Sequence, residues 1–138
     1  MGNAGVLVDT GPLVAFLREA ETDHKWAVEK FKELPAPFLT CEPVLAETFF
    51  LVSRQPDGPH RFFDLLGSGL LEIEFSVITE REALWKLIHK YKDLPMSLAD
   101  ACLVRLAEKH GGAAVFTLDA HFRIYRKNGR QHIPVIMP

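Results

Sequence analysis

The chain of 138 residues predicts an α/β domain built on a mainly parallel sheet, and three observations carry that prediction. Val6–Val8 is an apolar, β-branched run too short for a helix, so it reads as a buried strand, and it closes on Asp9. A second such run, Ala113 to Leu118, closes on Asp119 in the same way. Between them strand-like and helix-like segments alternate, the order expected of a sheet joined by crossover helices. No linker, repeat or low-complexity tract interrupts residues 1–138, so they read as a single domain.

Composition narrows the function. With 48% hydrophobic residues and a mean hydropathy of +0.05, the chain can bury a full core without staples. A formal net charge of −2 argues against a general nucleic-acid coat and leaves room for a local basic patch. Cys41 and Cys102, both in apolar surroundings, read as buried free thiols in a reducing compartment, so a cytoplasmic protein is expected. No segment approaches the roughly 18 apolar residues that span a membrane, and the start lacks the pattern of an export signal.

In chain order, Asp9 ends the first strand. Thr10 or Gly11 can cap the helix that follows, and Pro12 suits its first turn. Thr22 to Leu34 spaces Trp26, Phe31 and Leu34 among charges, an amphipathic packing helix stopped by Pro35. Pro37 to Thr40 is a short strand, and Glu42 to Ser53 a helix with Pro43 in its first turn. Turn chemistry at Arg54 to Pro59 leads into a scaffold helix from His60 to Leu66. Leu70 to Phe75 alternates as an edge strand. Thr79 and Glu82 have the spacing of a capping box for a helix from Ala83 to Tyr91. Ser97 caps a further helix, Leu98 to His110, ended by Gly111-Gly112, and Ile133 to Ile136 closes the chain as an edge strand.

Four acids stand out against this scaffold. In a parallel sheet Asp9 and Asp119 emerge at the same carboxyl edge, where open α/β sheets place ligands. On the helical wheel Glu47 projects between Phe50 and Leu51, at the margin of an apolar arc, which places it in a cleft. Asp100 fits the return half of a capping box with Ser97, yet it also lies beside Leu103 and Val104, opposite Arg105 and Lys109. Clustered carboxylates repel, and a cation or a proton makes the cluster tolerable. Oxygen-only ligands select hard ions, so Mg²⁺ or Mn²⁺ is the expected occupant. The six histidines are scattered without a close ligand pair, so zinc is not indicated.

The motifs Val8-Asp9-Thr10-Gly11-Pro12-Leu13, Leu45-Ala46-Glu47-Thr48, Ser97-Leu98-Ala99-Asp100-Ala101 and Thr117-Leu118-Asp119-Ala120-His121-Phe122 together resemble the PIN domain family. Within it they resemble the small stand-alone VapC-type ribonuclease toxins. The resemblance implies a three-layer α/β/α fold and metal-dependent hydrolysis of RNA phosphodiester bonds. It makes Asp9, Glu47, Asp100 and Asp119 the acidic, metal-binding cluster, with Thr10 and Thr117 as supporting hydroxyls. Ser97 stands where some relatives carry a further acid. It also implies an antitoxin that covers the site, and a homodimer.

RNA must then be met by local cations. Arg123, Arg126, Lys127 and Arg130 follow Asp119 closely, with Phe122 and Tyr125 interleaved as stacking rings. A haloacid-dehalogenase-type phosphatase is disfavoured because Gly11 stands where it needs a second acid. A response-regulator receiver is disfavoured by the lack of paired acids after the first strand and of a late strand-end Lys. The remaining rival is a PIN-like module that binds RNA or protein without cutting.

Overall fold

The computed structural model describes residues 5–138. Five short strands form one sheet in the order β3-β2-β1-β4-β7: β1 Val6–Val8, β2 Phe38–Thr40, β3 Leu71–Ile73, β4 Ala114–Phe116 and β7 Val135–Ile136. Every neighbouring pair is parallel. Leu7 pairs with both Leu39 and Val115, and all three point to one face, whereas Phe38 and Phe116 point to the other. Val6, Val8, Leu7 and Val115 are all buried, so both faces must be covered.

Helices do this. α1 (Thr10–Leu17), α2 (His24–Glu33), α3 (Glu42–Val52) and α4 (Gly58–Gly67) precede β3; α5 (Arg81–Lys90) and α6 (Leu98–Lys109) lie between β3 and β4. From α2, Phe31 meets Phe38 and Phe116 edge-on at 5.0 and 4.9 Å, and Trp26 meets Phe116 at 5.3 Å. On the other side α6 packs against β1 and β4, with α5 behind it. Seven of its twelve residues are buried, so α6 is the central helix of that layer. The result is the expected three-layer α/β/α arrangement.

Three local readings are corrected. No capping box forms between Thr79 and Glu82. The Thr79 N–H donates to Ser76 Oγ in a preceding turn, and α5 starts at Arg81 after Glu80, which provides no side-chain cap. Glu80 instead accepts from Arg105 Nε at 2.7 Å and Lys109 Nζ at 2.6 Å, tying the start of α5 to α6; these bonds hold its carboxyl below the usual range. The cleft expected around Glu47 and the scaffold role of α4 do not bury all of their apolar neighbours: Phe50, Phe63 and Leu51 are 75%, 62% and 45% exposed. Arg126–Lys127 (β5) and Gln131–His132 (β6) form an antiparallel hairpin in the basic stretch, where the sequence predicts no strand. Asn128 and Gly129 turn it, both with positive φ, which is the signal that could have found it.

A different glycine fixes the approach to α4. A Cβ on Gly58 would lie 1.9 Å from the Val52 carbonyl oxygen, so only glycine lets the α3–α4 turn close.

Candidate active site

The register of β1 against β4 builds the base of the site. Val8 pairs with Phe116, so the two strands release Asp9 and Thr117 side by side at one sheet edge. The Asp9 N–H continues the ladder to the Phe116 carbonyl at 3.0 Å. Asp9 itself, not Thr10 or Gly11, caps α1: its Oδ1 accepts from the Thr10 N–H at 2.7 Å. Its Oδ2 accepts from the Thr117 hydroxyl, also at 2.7 Å. The Thr117 oxygen in turn accepts from the Asp119 N–H at 2.9 Å, so one buried hydroxyl fixes two of the acids.

Each remaining acid comes from a different element. Thr10 donates through its hydroxyl to Glu47 Oε2 on α3 at 2.9 Å. Asp100 on the first turn of α6 forms the predicted reciprocal cap with Ser97. Asp119 caps the 3₁₀ turn Ala120–Arg123 by accepting from the His121 N–H at 2.9 Å. Both simple structural roles are therefore real, and neither removes the carboxylate from the site. Asp9, Thr10, Glu47, Ser97, Asp100 and Asp119 all line a cavity of about 420 Å³ at the carboxyl edge of the sheet. A larger cavity of about 530 Å³ beside α1 and α4 has mainly apolar walls, and its Arg61 is held by the Leu17 carbonyl and Glu19.

The electrostatics follow from burial. Asp9 is 6% exposed, and desolvation pushes its pKa up to about 6 against the two hydrogen bonds it accepts; the nearby Asp100 and Asp119 charges add to the rise. Burial also raises Asp100, partly offset by the Ser97 and Tyr125 bonds. A site that raises its own carboxylates in this way favours a cation or protons. The donors are oxygens only, which fits a hard divalent ion. Among the described residues no three His, Cys, Asp or Glu side chains stand close enough together to hold a metal ion as they are, so the acids line an open cavity and not a finished cage.

One contact was illegible in the sequence. The sequence predicts Tyr125 as a stacking ring among cations, but it is fully buried and donates its hydroxyl to Asp100 Oδ2 at 3.1 Å. Tyr91 and Phe122 pack edge-on against its ring at 5.0 and 5.3 Å. Arg123, Arg126, Lys127 and Arg130 do not line the cavity. Arg126 directs its guanidinium to the carbonyls of Arg123, Ile124 and Tyr125, and Lys127 is buried; Arg123 and Arg130 are exposed.

Comparison with known proteins agrees with this geometry. The model of the PIN domain family matches residues 6–128. Ribonuclease VapC26 of Mycobacterium tuberculosis (strain ATCC 25618 / H37Rv) is 31% identical over 135 residues, covering 95% of this chain and 99% of that protein. The crystal structure of VapC20 from Mycobacterium tuberculosis, a sarcin-ricin loop cleaving toxin, superposes with a TM-score of 0.75 at 20% identity, over 84% of this chain and 91% of that one, and shares the fold. With four acids at one sheet edge, a family match over most of its length and a VapC relative nearly end to end, the chain belongs to the PIN domain family, among its VapC-type members.

Proposed function

We propose that this protein is a metal-dependent endoribonuclease and the toxin of a toxin–antitoxin pair. One observation carries the reading: acids separated by up to 110 positions, Asp9 to Asp119, line a single cavity beside hydroxyls that hold them in place. Asp9, Asp100 and Asp119 are the residues that would hold Mg²⁺ or Mn²⁺, with Glu47 completing the set. Such an ion supplies an activated water and offsets charge on the phosphate.

The chain's own residues supply positioning. Thr117 fixes Asp9 and the start of the Asp119 turn, and Ser97 and Tyr125 fix Asp100 Oδ2. Glu47 is the most exposed of the four acids, and Thr10 holds only its Oε2. Its Oε1 is the oxygen we assign to accept a proton from the attacking water. Leu118 and Gly11 form the wall beside these groups.

For partners we propose an antitoxin and a second copy of the chain, in addition to RNA. Phe49 and Phe63 flank Phe62 at 5.2 and 5.3 Å on α3 and α4, and the partly exposed Leu51 joins that apolar surface to the cavity. A segment bound there would cover the acids. Among the described residues no helix is long and apolar enough to cross a membrane. Cys41 and Cys102 are both free, which supports action in the reducing cytoplasm.

The deciding experiment is cleavage of end-labelled single-stranded and hairpin RNA with Mn²⁺, Mg²⁺ or EDTA, by wild type, Asp9→Asn and Asp100→Asn. Cutting that needs metal and is lost in both variants is the expected result. RNA binding without any cutting would move the non-catalytic module ahead, a reading favoured by the open spacing of the acids.

A further inference from the structure

Resting on the ribonuclease reading, we infer that the outer face of α5 is a track for single-stranded RNA, with Trp85 and His89 as its base-stacking platform. Residues 81–92 carry four cations, Arg81, Lys86, Lys90 and Lys92, against the one acid Glu82, with Glu80 and Asp93 flanking them, and the segment 120–132 adds four more cations with no acid, Lys127 among them buried. In a chain of net charge −2 this is a strongly polarised lobe.

The face is joined to the segment that follows Asp119. Lys90 donates to the Gly129 carbonyl at 3.0 Å, and the Arg126 N–H donates to the Tyr91 hydroxyl at 2.9 Å. Tyr91 packs on Tyr125, whose hydroxyl reaches Asp100. Lys86, Lys90 and Arg126 line a shallow cavity of about 290 Å³ between α5 and the hairpin. Its Glu108 is engaged by Arg105 and the Asn128 N–H, which leaves the cations to set the local charge.

Trp85 is 65% exposed, and its ring lies 5.8 Å from that of His89, tilted by 36°. At 100° per residue, Trp85 and His89 lie about 40° apart on α5, with the exposed Glu82 next to His89 and Lys86 and Lys90 beyond it, while Lys92 follows just after the helix ends. Flat rings flanked by cations are what a flexible phosphodiester strand with unpaired bases requires: charge for the backbone and π-faces for the bases. A second copy of the chain is a poorer occupant, because a two-fold contact would set this cationic face against itself.

The test compares two RNAs on wild type, Trp85→Ala and Lys86→Ala. One has about 20 nucleotides, longer than the roughly 4–16 that a binding groove covers, and one has about 4. Binding is read by anisotropy in an Asp100→Asn background, cleavage in the otherwise unchanged protein. Trp85→Ala is expected to weaken the long RNA about tenfold, within the range of one lost stacking contact, while cleavage of the short RNA stays unchanged. Lys86→Ala should lower the slope of log affinity against log salt by about 0.7. With Trp26→Phe leaving Trp85 as the sole tryptophan, the long RNA should quench its fluorescence.

Equal long-RNA affinity in wild type and Trp85→Ala would overturn the track, as would equal losses on long and short RNA. Conversion of a dimer into a monomer by Trp85→Ala would assign the face to a second copy. Failure of the nuclease reading looks different: the wild type cuts neither RNA, whatever Trp85→Ala does to binding.

Discussion

At the scale of single residues, Asp9 sets the energetic character of the site, because its burial raises its pKa from 3.8 to about 6. A group whose folded pKa exceeds its unfolded value adds stability that is complete below the unfolded pKa and is lost as pH rises through the folded one. In the metal-free protein Asp9 therefore adds stability at pH 4.5 that is gone by pH 7.5, a change of about 2 kcal/mol. Asp9→Asn cannot titrate. Urea melts in EDTA at those two pH values should show a wild-type decline larger than that of the variant by this amount; equal declines would exclude the effect. Tyr125 acts at the same scale. Tyr125→Phe keeps the ring packed against Tyr91 and Phe122 but leaves Asp100 Oδ2 with the Ser97 N–H alone. Mn²⁺ affinity measured by calorimetry is expected to fall about tenfold, typical of losing a bond that orients a ligand, with thermal stability nearly unchanged. Tyr125 was hidden in the sequence because its partner lies 25 residues upstream and its neighbours are cations.

At the scale of elements, what could be read was what local patterning encodes. The strand ends at Asp9 and Asp119 follow from short apolar runs, and the start of α6 follows from the Ser97–Asp100 spacing. What could not be read depended on competition between local signals or on distant neighbours. The Thr79–Glu82 spacing lost to a turn closed by Ser76, and Glu80 was drawn to Arg105 and Lys109 across 25 and 29 positions. The exposed rings of α3 and α4 follow the helical period of a buried face, and the period cannot say which arc the sheet covers. Gly58 makes the element scale testable. Gly58→Ala sets a Cβ against the Val52 carbonyl, backbone that cannot step aside without opening the α3–α4 turn. A loss of about 1–3 kcal/mol is expected from chemical denaturation, of the size seen when overpacking shifts backbone. An unchanged midpoint would mean that α4 is not anchored there.

At the scale of the whole molecule, the site draws on parts of the chain that are far apart in sequence. Its acids come from the end of β1, from α3, from the start of α6 and from the turn after β4. An ion held by them would therefore resist unfolding of both helical layers and the sheet at once. At a free Mn²⁺ concentration about 100 times its dissociation constant, binding adds about 2.7 kcal/mol to stability. For a domain of this size that is a rise in Tm of roughly 5–15 °C at pH 7.5. Protons compete for the same oxygens, and Asp9 takes one up as pH falls through about 6. The metal-induced rise should therefore shrink steadily below pH 6 and be absent at every pH in a protein carrying both Asp9→Asn and Asp100→Asn. A rise that persists in that double variant would place the stabilising ion elsewhere on the molecule. A rise that vanishes in it while RNA cleavage continues would separate metal binding at the sheet edge from catalysis.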